Sequence, residues 1–282
     1  MPVTGGVHLH AHRWDGTGRP YVLVHGLASN ARLWHGVASR LAEVGHLVVA
    51  VDQRGHGRSE KPGDGYTIET CAADLTLLVE GLGLDRPVVA GQSWGGNVVL
   101  QLAADQPRSV HGVALVDGGW IRLQDTFGDW DDCARQLRPP ALAGLALSRL
   151  EAAVRLAHPS WPDEGVDATL ANFEVLDDGT IRPWLTLDRH LAIQRDLWEH
   201  DPRALYARVT APVLLVPADH GEPAGDAVPQ AGVRGQPVHQ HEWAAGAVPP
   251  MGVEVDAAGH GYQLALHLAT DQPRPTALRA AG

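Results

Sequence analysis

Apolar residues in this chain fall into short continuous runs separated by turns and amphipathic stretches. Residues 21–24, 47–51, 88–90, 113–116 and 213–216 are runs of three to five, rich in Val and Leu and without polar alternation. That pattern predicts strands buried on both faces, as in a parallel sheet. A last short strand is predicted over 253–255. Between the runs lie segments with helical spacing, over about 33–44, 67–82 and 97–105, with Thr67 placed as an N-cap. Residues 7–13 instead alternate, with His8, His10 and His12 on one face, and predict a half-exposed strand. The histidines have no carboxylate or cysteine beside them in sequence, so the polar face of an edge strand accounts for them better than a metal site. Strand and helix alternate through residue 119, which argues a mostly parallel sheet flanked by helices.

The rhythm stops there. Over 120–208 no good apolar strand is visible, and several short helices separated by Pro-bearing loops are expected. Five of the nine tryptophans fall in this stretch: Trp120, Trp130, Trp161, Trp184 and Trp198. Aromatics in a helical insertion either fill its core or line a substrate pocket. The organisation predicted is a core from 1–119 and 209–282, with a helical cap over 120–208. The C-terminal part ends in a short helix candidate over 262–269.

One turn stands out chemically. Gly91-Gln92-Ser93-Trp94-Gly95 joins a predicted strand to a predicted helix. A strand that turns at once into a helix forces a strained backbone at Ser93, and side chains two residues to either side would collide, so glycines stand there. The serine hydroxyl is then held above the sheet edge, with a helix N-terminus behind it to stabilise an anion. A serine hydroxyl needs a base to take its proton and a third group to orient that base. Strand ends supply both in this chain, in the order Ser93, Asp219, His260, with Asp117 as an alternative acid and Glu222 close to Asp219 in sequence.

Composition narrows the field. The 282-residue chain is 44% hydrophobic with a formal net charge of −11, which supports one sizeable core and argues against nucleic acid as a partner. Lys61 is the only lysine, a compositional bias toward arginine. Cys71 and Cys133 have no metal-binding spacing and form no disulfide framework. No apolar run is long enough to span a bilayer, and residues 1–6 lack the features of a secretory signal, so a cytoplasmic setting is expected. A small-molecule substrate is the expected partner, with no membrane, no metal and no cofactor.

Together, His25-Gly26 after a strand, the loop Asp52-Gln53-Arg54-Gly55-His56-Gly57-Arg58-Ser59, the Ser93 turn and Gly259-His260 resemble the α/β-hydrolase-fold family from about residue 7 to 267. The resemblance implies an eight-stranded-type sheet with its N-terminal strand short or missing, and a cap. It implies Ser93 as nucleophile, His260 as general base, Asp219 as its orienter and an oxyanion hole from the backbone N–H groups of Leu27 and Trp94. Asp52, Arg54 and His56 look like the family's structural loop. His25 is expected to orient the oxyanion loop or to border the substrate, as are Trp120, Trp130 and Trp184. Similar dehalogenases and epoxide hydrolases have aspartate before such a tryptophan; serine here points to acyl transfer. The activity implied is cleavage of a small, largely apolar ester, or a lactone, thioester or amide. The same triad serves C–C bond hydrolases and cofactor-free perhydrolases, and the fold also occurs in non-catalytic ligand-binding members. Residues 222–250 depart from the family pattern, since Pro223, Pro229 and Pro237 would interrupt the helix expected before the last strand.

Overall fold

The apolar runs do form a sheet. The computed structural model describes residues 1–217, and Asp219, Glu222, His260 and the strand predicted over 253–255 lie outside the described residues. In chain order the strands are β1 (Ala11–Trp14), β2 (Gly18–Val24), β3 (His46–Val51), β4 (Val88–Gln92), β5 (Gly112–Val116), β6 (Phe173–Val175), β7 (Ile181–Pro183) and β8 (Val213–Val216). The helices are α1 (His35–Glu43), α2 (Ile68–Gly81), α3 (Trp94–Asp105), α4 (Trp130–Gln136), α5 (Leu147–Ala157), α6 (Asp163–Leu170) and α7 (Leu187–Glu199). The main sheet has the order β1-β3-β2-β4-β5-β8, parallel except for β1, which runs antiparallel to β3.

Its register explains the unbroken hydrophobicity of the runs. Val22, Val89 and Val113 stand in one row across β2, β4 and β5, and Leu23, Ala90 and Ala114 in the next. The first row packs with Ile68, Leu75 and Leu78 of α2 and Val98 and Leu102 of α3. The second packs with Trp34 and Ala38 on the other face. Both faces are covered, so both phases of each strand are apolar. Helix α2 begins where predicted, with the Thr67 side chain accepting from the Thr70 N–H at 3.1 Å.

The alternating N-terminal stretch contributes less strand than expected. Only 11–14 pair with β3, because residues 1–9 fold back on themselves: Leu9 N–H donates to Met1 O and Val3 N–H to Val7 O, with Val7 and Leu9 buried. The histidines are spread over separate partners. His8 faces Glu60, His10 Nδ1 lies 3.2 Å from Asp52, and the His12 ring meets those of His10 and His35.

The insertion between β5 and β8 is helical, as expected, but also contains a two-stranded antiparallel sheet of β6 and β7. Its residues divide between two cores. Leu142, Leu150, Val154, Val166 and Ile181 form a cluster of their own. Cys133, Leu137, Ile193 and Leu197 join the main core, which ties α4 and α7 to the body of the protein.

Candidate active site

The turn between β4 and α3 consists of Ser93 alone. The strand ends at Gln92 and the helix begins at Trp94, three residues earlier than the helical pattern suggested. Ser93 takes φ 52° and ψ −125°, a sparsely populated conformation for a residue with a side chain. Its N–H donates to Val116 O at 2.9 Å and its carbonyl accepts from Gly96 N–H at 2.8 Å. The neighbouring glycines are sterically required. A β-carbon on Gly91 would collide with the carbonyl of Gly95, and one on Gly95 with that of His25. The loop after β5 closes over the turn, since a β-carbon on Gly118 would strike the Ser93 carbonyl. Asn97 fastens that loop. Its side-chain oxygen accepts from Gly119 N–H at 2.9 Å and its amide donates to Ile121 O at 2.8 Å.

A second loop, from His25 to Asn30, leaves β2 beside the turn and is held by three side chains. His25 is fully buried; its Nδ1 donates to Gly26 O at 2.7 Å and its Nε2 accepts from Gln53 N–H at 3.0 Å. His56 donates through Nδ1 to Arg54 O at 3.0 Å and accepts at Nε2 from Ala28 N–H at 3.2 Å. Asp52 accepts from Ala31 N–H at 2.7 Å and from Arg58 N–H at 2.9 Å. Each histidine uses one nitrogen as donor and the other as acceptor, so both are neutral. Burial accordingly lowers the pKa of His25, and lowers that of His56 well below the usual value, with His25 adding to the effect. Ala28 sits at φ 56° within this pinned loop.

Ser93, Trp94, Leu27, Ala28, Asp117, Trp120 and Trp184 all border one cleft of about 2080 Å³, the space that the described residues leave open. Its wall is mainly apolar, drawn from α1, from α5 and from Phe127, Leu142 and Phe173. The buried indole of Trp94 stacks on His56 at 5.6 Å between ring centres. Trp184 carries the ammonium of Lys61 4.7 Å from its ring centre. Asp117, at φ 47° directly after β5, is half-buried, and its carboxylate has no hydrogen-bond partner among the described residues.

Two expected pocket residues lie elsewhere. His25 does not border the cleft, because both ring nitrogens are spent on backbone groups beneath it. Trp130 is not part of the wall; it packs against Trp198 at 6.3 Å and under the guanidinium of Arg195. The sequence reading also passed over polar residues that do border the cleft, notably His190 and Gln194 on α7. Their signal is a polar pair embedded at helical spacing in the buried face His190, Ile193, Gln194, Leu197. Among the described residues, no group of three or more His, Cys, Asp or Glu side chains is arranged to hold a metal ion, and no helix is long and apolar enough to cross a membrane.

Comparison with known proteins fits this geometry. A family model described as alpha/beta hydrolase fold matches residues 20–154. A soluble epoxide hydrolase of Corynebacterium sp. (strain C12) is 40% identical over 114 residues, 40% of either chain. The 2-(acetamidomethylene)succinate hydrolase of Mesorhizobium japonicum is 27% identical over 205 residues, 72% of each chain. A solved structure of E-2-(acetamidomethylene)succinate hydrolase superposes with a TM-score of 0.63 at 26% identity, over 75% of this chain and 76% of that one. The chain spans only 33–42% of the length of the curated relatives it matches at 35–40% identity.

Proposed function

Because the chain belongs to the α/β-hydrolase fold family, we propose that it is a serine hydrolase cleaving a largely apolar carboxylic ester, or a related lactone, thioester or amide, through an acyl-enzyme at Ser93. One observation carries the reading. Ser93 alone spans the junction of β4 and α3 in a strained conformation that only the flanking glycines permit, with its side chain bordering an apolar cleft. Strain of this kind persists where surrounding structure enforces it, and it clusters at reactive sites.

In the proposed reaction the Ser93 oxygen attacks the acyl carbon while His260 takes its proton. The negative charge that develops on the carbonyl oxygen is met by the backbone N–H of Trp94, at the start of α3, and that of Leu27, on the loop pinned by His25, His56 and Asp52. Such donors are typically worth about 10²–10³ in rate each. Collapse expels the alcohol, which receives the proton from His260. Water, deprotonated by His260, then attacks the acyl-enzyme and restores Ser93. Asp219 orients His260 in this scheme, with Asp117 as the alternative. A relative covering most of the chain is named a hydrolase, which supports hydrolysis as the reaction class. Turnover of p-nitrophenyl acetate and butyrate tests the reading: the wild type is expected to release nitrophenolate and Ser93→Ala to lose that release.

A further inference from the structure

Protein interiors pair their buried polar groups, and the few exceptions call for an explanation. Among the described residues several such atoms belong to residues bordering the cleft, His35 Nε2 on α1 and, nearer the nucleophile, one each on Gln194 and Trp94. Gln194 on α7 is 1% exposed; its amide donates to Cys133 O at 3.0 Å, which fixes the amide orientation and leaves its carbonyl oxygen buried with no partner among the described residues. The indole N–H of Trp94, 1% exposed beside Ser93, likewise has no partner among the described residues. One is an acceptor and the other a donor.

The two belong to one region. Gln194 follows His190 by one helical turn, so both face the same side of α7, and both border the same cleft as Ser93. His190 lies within electrostatic range of His56. His56 in turn stacks on Trp94. The buried face of α7 and the stacked pair beside Ser93 thus border one cleft.

We propose that Gln194 is a specificity-determining residue whose carbonyl oxygen receives the N–H of a secondary amide in the acyl part of the substrate, with the Trp94 indole N–H available to that amide's carbonyl. The inference rests on the hydrolase reading above and narrows its substrate class. An acceptor and a donor on residues bordering a mainly apolar cleft are the complement of an amide. A buried acceptor left unpaired penalises any analogue that lacks the donor. The amide N–H to Cys133 O holds the Gln194 acceptor in place from behind.

Matched esters test it. p-Nitrophenyl N-acetylglycinate and 4-oxopentanoate differ only by N–H in place of CH₂, as do the N-acetyl-β-alaninate and 5-oxohexanoate esters one carbon longer. With rates divided by those for hydroxide, the wild type is expected to prefer the amide member of at least one pair by about tenfold or more in kcat/KM. Gln194→Met is expected to abolish that preference and Gln194→Glu, which keeps an acceptor there, to retain part of it. A residue that only joins α7 to α4 would slow both members equally and leave the ratio unchanged. Equal wild-type rates within both pairs, or a preference that survives Gln194→Met, overturns the assignment and leaves the serine hydrolase reading standing. No turnover of any of the four esters, with no adduct at Ser93 from a fluorophosphonate, overturns both.

Discussion

The carboxylate of Asp196 on α7 accepts a 2.8 Å hydrogen bond from the backbone N–H of Ile68, the first residue of α2. Core helices present unsatisfied N–H groups at this end, and here a residue of the insertion supplies the acceptor. Two further hydrogen bonds tie the insertion to the core. Arg189 donates to Lys61 O at 2.9 Å, and Asn30 donates to Ala168 O at 2.8 Å. The wall of the cleft contributed by the insertion is thereby fixed relative to Ser93.

That latch is predicted to respond to pH. Burial raises the Asp196 pKa to about 6, against the pull of the Ile68 N–H, with Glu69 and Glu199 adding to the rise. An unfolded aspartate titrates near about 3.9. Between these values the folded chain holds a proton that the unfolded chain does not. This site's contribution to stability therefore grows as pH falls from about 6 toward 4, and the ionised form above pH 6 is the penalised one. Asp196→Asn, which keeps an acceptor for Ile68, is expected to raise Tm at pH 8 by about 2–4 °C and to show no gain near pH 4. A lower Tm at pH 8 would mean that the charge on the latch stabilises it.

Three buried histidines act in the opposite direction. Burial lowers the pKa of His25, His56 and His190, the last to about 4. Unfolded histidines take up protons below about pH 6.5 while the folded rings stay neutral, so stability falls as pH drops through that value toward 4. Three such groups outnumber the single aspartate. Denaturant midpoints are expected to decrease steadily from pH 7 to pH 5, and His190→Gln to flatten the slope by about one proton. A stability that is level across this range would contradict the neutral assignments.

A glycine of the turn and one in the loop before α2 differ sharply in tolerance. Gly95 packs against the backbone carbonyls of Val24 and His25, which have no room to retreat, whereas Gly63 has nothing within 4 Å of an added β-carbon. Gly95→Ala should cost about 1–3 kcal/mol or more and should abolish activity by displacing Ser93 relative to the His25 loop. Gly63→Ala should change neither by more than about 0.5 kcal/mol. Equal tolerance at both positions, measured by thermal unfolding and ester turnover, would refute the steric account.

The orienting carboxylate is decided by paired substitutions. Asp219→Asn is expected to reduce kcat by roughly 10⁴, the scale seen when an orienter is lost from such a triad, and Asp117→Asn to leave it within about tenfold. Asp117 borders the same cleft as the nucleophile without a partner among the described residues, which makes it the alternative to test. A large loss from Asp117→Asn alone would reverse the assignment.

The sheet was legible in the sequence because burial on both faces leaves runs such as 47–51 and 113–116 with no polar break. The turn at Ser93 was legible because its glycines answer local steric demands. The hairpin of β6 and β7 escaped detection: strands of three residues, one ending in Pro183, are too short to show a period, and only Asp178-Gly179 marks the turn between them. Residues 7–9 alternate like a strand, yet the alternation records Val7 and Leu9 entering the core from a folded-back terminus. Trp130 packs with Trp198 against the main core, and aromatic content alone does not distinguish such a pair from a pocket wall. Gln194 was invisible because its meaning lies in which groups it meets across the fold, a relation that spacing along α7 does not encode.

The central claim is that Ser93 is a nucleophile. Intact-mass measurement after exposure to a fluorophosphonate, followed by peptide mapping, addresses it without knowledge of the natural substrate. A single adduct on the peptide containing Ser93, absent in Ser93→Ala, is the predicted result. An unmodified wild-type chain, or an adduct that persists in Ser93→Ala, would contradict it.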